Sequence, residues 1–555
     1  MTQNKKPQYT IFKEYDIRGN FGANLLLEDF SYIADRIKYL IQSPESFIGK
    51  KKIGKKKINR IVGELQHLRV VDLANQPINF KPPQYTAVIS RDCRPSSQQI
   101  ADCVIASLRQ SGIDVIDLNI SPVFMMNFAV LKLNADIGFM VTASHNHLND
   151  NGLKITLGAN PVGGVDLLSL RNFHGYSSSK LGKYRQKSLE EDYIDLLIND
   201  IKIPASTSIV WDCGDGTTVS LLNNILSKIP QIKSIIINKR KSKNSRVNPS
   251  PRDQNRIDQI KQLIVENSAN MGIAFDEDGD RIMVIDNQGN IRKSDELLMF
   301  LAKQIVDQND PKNQNITKPK THPIVIGDIY TAPITEKYIT KLGLQFCISK
   351  VGHSNIKRAI ISSGALLAGE NSGHFYFADR YFGYDDAVYA AFRLIEATKG
   401  QKLTEALKDI PKVFTTKKII LNSKQSNKKK IMRFIQNIIE LECQTSRIYP
   451  ITANNINDIF GYFDNKNTAI INEVTQTETK ANLHIIEDDE QIETWPKISY
   501  LDGIRVDYPD YWFAIRPSNT ENHISAIGGG ACISICSEIE IYLDQLLKLA
   551  LAGAK

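Results

Sequence analysis

Four short segments of this chain carry side chains that could do chemistry. Thr142-Ala143-Ser144-His145-Asn146 sets a hydroxyl beside an imidazole and an amide, and Lys154 follows in Asn151-Gly152-Leu153-Lys154. A serine on an exposed turn near such groups could carry a phosphoryl group, because cations and amide donors hold its charge of about −1.5 to −2. The same residues would also make a plain strand-to-helix turn with Ser144 as the cap. No Gly-x-Ser-x-Gly surrounds Ser144, which disfavours a serine hydrolase. Asp276-Glu277-Asp278-Gly279-Asp280-Arg281 places Asp276, Asp278 and Asp280 at alternate positions, with Gly279 permitting a tight bend. Three such carboxylates can converge on one hard cation. An EF-hand fails on spacing, since Arg281 and Asn287 stand where its glycine and final glutamate belong. A small acidic loop completed by waters and a substrate phosphate suits Mg²⁺. A solvated acidic turn is the alternative, but the apolar runs Ile273–Phe275 and Ile282–Ile285 limit solvation on either side.

Two further segments are weaker alone. Gly369-Glu370-Asn371-Ser372-Gly373-His374 combines carboxylate, amide and hydroxyl, a set suited to sugar hydroxyls and equally to a polar turn. Arg516-Pro517-Ser518-Asn519-Thr520-Glu521 offers a guanidinium, two hydroxyls and an amide, a cradle for phosphate. Ser518 and Glu521 also have capping-box spacing, and a helix N-terminus binds anions in its own right.

The elements that would position these loops alternate. Residues 85–90, 114–119, 137–144, 208–216, 234–239, 272–286, 323–328 and 365–370 read as apolar strands with their following loops. Ile100, Val104 and Leu108 give helical spacing over Ser96–Ser111, and Gly112 stops it. Strands alternating with helices predict α/β layers, whose ligands sit at strand carboxyl ends. Three such blocks are followed, from about residue 412, by a stretch richer in Lys, Asn, Gln and Thr that ends in a helix over 538–551 and reads as an α+β domain.

Length and composition set the outer limits. At 555 residues the chain holds three to five domains, and 42% apolar with 23% charged residues is ordinary for a globular protein. A net charge of +8 fits anionic small molecules and does not by itself imply nucleic acid. The basic run Lys50–Arg60 lacks interleaved aromatics and reads as a solvated loop. Seven scattered cysteines without Cys-x-x-Cys spacing disfavour a disulfide framework or zinc ribbon. The same cysteine usage makes a reducing cytosol the expected place, and no signal peptide and no membrane span is expected.

In combination the segments are specific. Tyr15-Asp16-Ile17-Arg18-Gly19, Thr142–Lys154, Asp276–Arg281, Val351–Lys357, Glu370–His374 and Arg516–Glu521 together resemble the α-D-phosphohexomutase family, in its phosphomannomutase/phosphoglucomutase branch. The resemblance implies three related α/β/α domains and a C-terminal α+β, TATA-binding-protein-like domain around a central cleft. The expected divisions are 1–185, with an insertion at about 45–84, then 186–291, 292–411 and 412–555. A second insertion is expected over 473–493. By position, Ser144 matches the phosphoserine, and Asp276, Asp278 and Asp280 match Mg²⁺ ligands completed by the Ser144 phosphate. Glu370 and Ser372 match sugar-hydroxyl ligands, and Tyr15 a substrate contact. Arg516, Ser518, Asn519 and Thr520 match the loop holding the phosphate that is not transferred. Arg18, Lys154, Arg281 and His353 match groups for acid–base work and phosphoryl stabilisation.

The implied reaction interconverts hexose 1-phosphate and hexose 6-phosphate, of mannose or glucose, through a hexose 1,6-bisphosphate that also serves as activator. The expected partner is a small phosphosugar, with no nucleic acid and no membrane, and the enzyme a monomer or homodimer. Two departures stand out: His147 and Asn522 occupy positions where the family usually has proline. The rival readings are a phosphoglucosamine mutase and a non-catalytic phosphosugar-binding homologue.

Overall fold

The computed structural model describes residues 6–42, 84–175, 177–239, 250–308, 323–444, 496–519 and 521–554. The lysine-rich run at 50–60 and the acidic stretch at 473–493 lie outside the described residues. The chain divides into two compact units, residues 1–327 with 338–410, and residues 328–337 with 411–555.

The larger unit contains three sheets built on one plan. The first has strands β1 (Ile17–Asn20), β2 (Thr86–Arg91), β3 (Asp114–Ile120), β4 (Ile137–Val141), β5 (Asp150–Leu157), β6 (Asn160–Val162) and β7 (Tyr184–Gln186). Their order is β1-β5-β4-β2-β3-β7, with β6 on β5. The second has β8 (Thr207–Asp212), β9 (Ile232–Ile237), β10 (Met271–Phe275) and β11 (Ile282–Asp286), in the order β11-β10-β8-β9. The third has β12 (Ile324–Asp328), β13 (Gln345–Ser349), β14 (Leu367–Gly369) and β15 (Phe375–Phe377), in the order β13-β12-β14-β15.

In each sheet one strand runs parallel to its inner neighbour and then turns straight back into an antiparallel partner: β4 into β5, β10 into β11, β14 into β15. The three candidate loops of this unit are these three turns. The sequence reading allowed a strand-to-helix turn at Ser144; the chain instead continues into β5. The strand expected over 137–144 stops at Val141, which frees Thr142–Asn149 to form the loop.

The inner strands are buried on both faces. Every residue of β4 (IGFMV) and β10 (MGIAF) is buried, which is why they read as unbroken apolar runs. Helices cover them. In Ser97–Gln110, Ile100, Val104 and Leu108 recur every fourth residue and all face the core. Trp211 on β8 stacks between Phe275 and Phe392, joining the second and third layers.

The smaller unit, by itself, is an antiparallel sheet of β16 (Phe414–Thr415), β17 (Ile419–Asn422), β18 (Lys497–Ser499), β19 (Ile504–Asp507), β20 (Tyr511–Pro517) and β21 (His523–Gly530). Helices Gln425–Gln444 and Ile533–Gly553 pack against it. The second begins before the expected residue 538; its buried Ile539, Tyr542, Leu543, Leu546, Leu547 and Ala550 make one apolar stripe.

The β10–β11 turn depends on Gly279. Its φ is +75°, and a Cβ there would lie 2.8 Å from Thr218 Cγ2. Gly279→Ala is expected to cost at least about 1–2 kcal/mol from the left-handed backbone alone, measurable as a lower midpoint in denaturant.

Candidate functional site

The serine loop is held from beneath by Arg94. This buried guanidinium donates to the carbonyls of Ser144 (2.5 Å), Asn146 (2.9 Å), His147 (2.6 Å) and Asp150 (3.1 Å). Asp92 (2.9 Å) and Glu277 (3.2 Å) balance its charge. The carbonyls therefore turn inward, and Ser144 sits in the left-handed region with φ +53°. Thr142 Oγ1 accepts from the Ser144 N–H at 2.8 Å. Ser144 is not on an exposed turn as its flanking polar residues suggested: it is fully buried, with its Oγ 3.1 Å from Asp276 Oδ2 and 3.4 Å from His145 Nδ1.

The carboxylate loop faces it. Asp276, Asp278 and Asp280 are all buried and offer oxygens within 4.8 Å of one another. Burial, with the charges of Asp280 and Asp278, pushes the Asp276 carboxyl well above its usual range. Asp280 goes the other way: against the cost of burial, Lys154, His374 and Arg281 hold it well below. Lys154 reaches from β5 to Asp278 Oδ2 (2.7 Å) and Asp280 Oδ2 (2.6 Å), and these carboxylates outweigh burial to raise its pKa. Arg281 Nε lies 3.5 Å from Asp276 and 3.7 Å from Asp280.

This donor set fits a hard divalent cation. The ligand atoms are oxygens, they converge, and Asp278 Oδ1 is buried with no hydrogen-bond partner. Lys154, Arg281 and His374 offset part of the charge of the three carboxylates.

The third loop joins through His374, which the sequence reading quoted only as part of a motif. His374 Nε2 lies 3.3 Å from Asp280, and Nδ1 lies 3.1 Å from Glu370 and 2.8 Å from Ser372 Oγ. Burial lowers its pKa, but Asp280 and Glu370 more than compensate and raise it to about 9. Glu370 is fixed by Tyr376 OH (2.8 Å) and the Gly352 N–H (2.7 Å). Gly352 has φ +112° and lies under the Tyr15 ring, where a Cβ would fall 2.4 Å from Tyr15 Cζ. Tyr15 OH donates to Val351 O at 2.6 Å, and its ring packs edge-on against His353. His353 is kept neutral by burial and by Lys357 and Lys154, and its Nε2 is buried without a partner. It lines a small cavity with Asn127, Lys154, Lys357 and Asp385. Arg18 donates to Asn146 Oδ1 (2.8 Å) and pairs with Asp16 (2.5 Å), which places it beside the serine loop.

Ser144, the three aspartates, Lys154, Arg281, Glu370, Ser372, Tyr15, His353 and Arg18 thus form one connected set. Arg94, Glu277 and His374 belong to it and were not singled out from sequence. For Arg94 the available signal was Asp92-x-Arg94 at the carboxyl end of β2.

The fourth loop belongs to the smaller unit and is described there. It connects β20 to β21, so the capping-box reading is corrected: Ser518 Oγ does accept from the Glu521 N–H (3.0 Å), but a strand follows, not a helix. Arg516 is buried and donates to Asp502 at 2.7 Å. Thr520 lies outside the described residues.

Comparison with known proteins places the chain among relatives. Family models for phosphoglucomutase/phosphomannomutase α/β/α domains I, II and III match residues 50–162, 191–289 and 293–414. The chain is 28% identical over 438 residues to a phosphomannomutase/phosphoglucomutase of Pseudomonas syringae, covering 78% of this chain and 80% of that one. It is 27% identical over 414 residues to a phosphoglucomutase of Neisseria gonorrhoeae, covering 73% and 79%. A phosphoglucomutase/phosphomannomutase family structure from Burkholderia thailandensis shares the fold with a TM-score of 0.70, 22% identity and 99% coverage of both chains. Among the described residues no helix is long and apolar enough to cross a membrane.

Arg94→Met would strand Asp92 and Glu277 and release four carbonyls. Breaking a buried pair costs about 3–5 kcal/mol, so the variant is expected to unfold at clearly lower denaturant than wild type.

Proposed function

The chain belongs to the α-D-phosphohexomutase family, in its phosphoglucomutase/phosphomannomutase branch, and is a phosphohexomutase; we propose that it moves the phosphoryl group through Ser144 and a hexose 1,6-bisphosphate. The observation that carries this reading is the contact of Ser144 Oγ with Asp276 inside a ring of Lys154, Arg281 and His374. Phosphoryl transfer needs positioning and charge neutralisation more than covalent machinery, and this ring supplies both.

Asp276, Asp278 and Asp280 would hold Mg²⁺, which as a Lewis acid would polarise the phosphoserine oxygens. A sugar hydroxyl attacks the phosphorus, the Ser144 Oγ–P bond breaks as the new O–P bond forms, and the hydroxyl proton leaves to a basic nitrogen. His353, neutral and with Nε2 unpartnered, suits that role better than Lys154, which two carboxylates keep charged. Lys154 and Arg281 neutralise charge on the phosphoryl oxygens as it develops. Glu370 and Ser372 grip the sugar hydroxyls, His374 orients Glu370, and Tyr15 and Arg18 shape the floor. Arg516, Ser518, Asn519 and Thr520 hold the other phosphate. The bisphosphate then reorients and returns its second phosphoryl group to Ser144; free bisphosphate phosphorylates the serine in the same way, which is its role as activator. Burial of Ser144 keeps water from the phosphoserine. We place the four domains at 1–185, 186–291, 292–411 and 412–555, and the enzyme in the cytoplasm as a monomer or homodimer.

Wild-type protein should show the mass of one added phosphoryl group, mapped to Ser144. Ser144→Ala should lose that mass and at least about a thousandfold in turnover, on the order of 4 kcal/mol of barrier, with near-ultraviolet circular dichroism unchanged. Glucose 1-phosphate, mannose 1-phosphate and glucosamine 1-phosphate, each assayed with trace bisphosphate, separate the hexose reading from the amino-sugar one. Full activity of Ser144→Ala would remove the phosphoserine.

A further inference from the structure

The smaller unit contains a buried cation that none of the expected roles uses. Lys428, in the first turn of helix Gln425–Gln444, is 4% exposed. Its Nζ donates to Ser518 O at 2.6 Å and to Glu521 O at 2.5 Å, the two ends of the β20–β21 turn. Its platform is firm. The preceding strand β17 pairs with β21, Asn422 opposite His523, and the Ser423 N–H donates to Asn522 O at 2.9 Å. The Ser518 N–H donates to His523 O at 2.9 Å and closes the turn.

The consequence follows from peptide geometry. The Ser518 carbonyl and the Asn519 N–H lie on opposite edges of one trans-planar unit, as do the Glu521 carbonyl and the Asn522 N–H. An ammonium that draws both carbonyls to one side turns both N–H groups to the other. Both N–H groups then stand on the face away from Lys428, where backbone donors can meet an anion. A helix N-terminus would supply such donors through its own fold, but this loop is a hairpin turn, and its Asn522 stands where the family resemblance places a rigid proline.

We propose that Lys428 is a positioning residue that presets the phosphate-binding face of the 516–522 loop, replacing with two charge-assisted hydrogen bonds the stiffness that proline would give. The proposal rests on the reading of Arg516, Ser518 and Asn519 as the phosphate loop. Lys428 does not touch substrate; it acts through the backbone of Ser518 and Glu521.

The test uses the full chain and two probes, hexose 1-phosphate turnover and inorganic phosphate as competitive inhibitor. Lys428→Met is expected to raise KM and the phosphate inhibition constant about tenfold each, more than it lowers kcat. Lys428→Gln, which keeps a donor, should recover part of both and guards against a variant that fails to fold. Arg516→Ala runs alongside. If Arg516→Ala raises KM while a folded Lys428→Met or Lys428→Gln leaves both constants at wild-type values, the positioning role is overturned and the phosphate loop stands. If Arg516→Ala leaves KM unchanged, the phosphate-loop reading itself falls, and the inference with it.

Discussion

The fold of the larger unit turns on one electrostatic problem: a six-residue loop with four buried carboxylates, three of which, Asp276, Asp278 and Asp280, converge. Unpaired, each would cost several kcal/mol of desolvation. Lys154 from the first sheet, Arg281 from the loop itself and His374 from the third sheet solve it together. Because each cation comes from a different element, neutralising the loop also ties the three sheets to one another. The opposite pKa directions of Asp276 and Asp280 record how unevenly that neutralisation is shared. Lys154 holds oxygens of Asp278 and Asp280 that a divalent ion would also use, so metal and ammonium compete for the same lone pairs. Metal binding would thereby be coupled to the freedom of Lys154.

A second constraint is topological. All four candidate loops connect antiparallel strands. None of them is a helix N-terminus, so none of them can draw on aligned helix amides to hold an anion. Anion binding must come from discrete cations and from turned peptide units. Arg94 beneath the serine loop and Lys428 beneath the 516–522 loop are the same solution used twice: a buried cation gathers carbonyls on one face and fixes what the other face presents.

Much of this was legible in sequence, for physical reasons. Strands buried on both faces must be apolar without alternation, so β4 and β10 were visible. The helix over Ser97–Gln110 was visible through Ile100, Val104 and Leu108. The convergence of Asp276, Asp278 and Asp280 was visible because alternating carboxylates between apolar strands share one short, buried turn. What was hidden is equally physical. Ser518 and Glu521 make the same side-chain-to-N–H bond in a hairpin turn as in a helix cap, so the local pattern could not choose between them. Arg94 acts on main-chain carbonyls, which leave no trace in side-chain spacing. The burial of Ser144 depends on Asp276, which lies 132 residues away. His374 differs from an exposed turn histidine only by the partners that folding brings to it.

The central claim is that the carboxylate cluster exists to share one divalent cation next to Ser144. Anomalous diffraction from crystals soaked in Mn²⁺ tests it directly. A single strong peak is expected, bonded to one oxygen each of Asp276, Asp278 and Asp280, with the Lys154 ammonium displaced from at least one of its two carboxylates. A map with no peak there, or with the ion elsewhere and Lys154 still bridging Asp278 and Asp280, would contradict it.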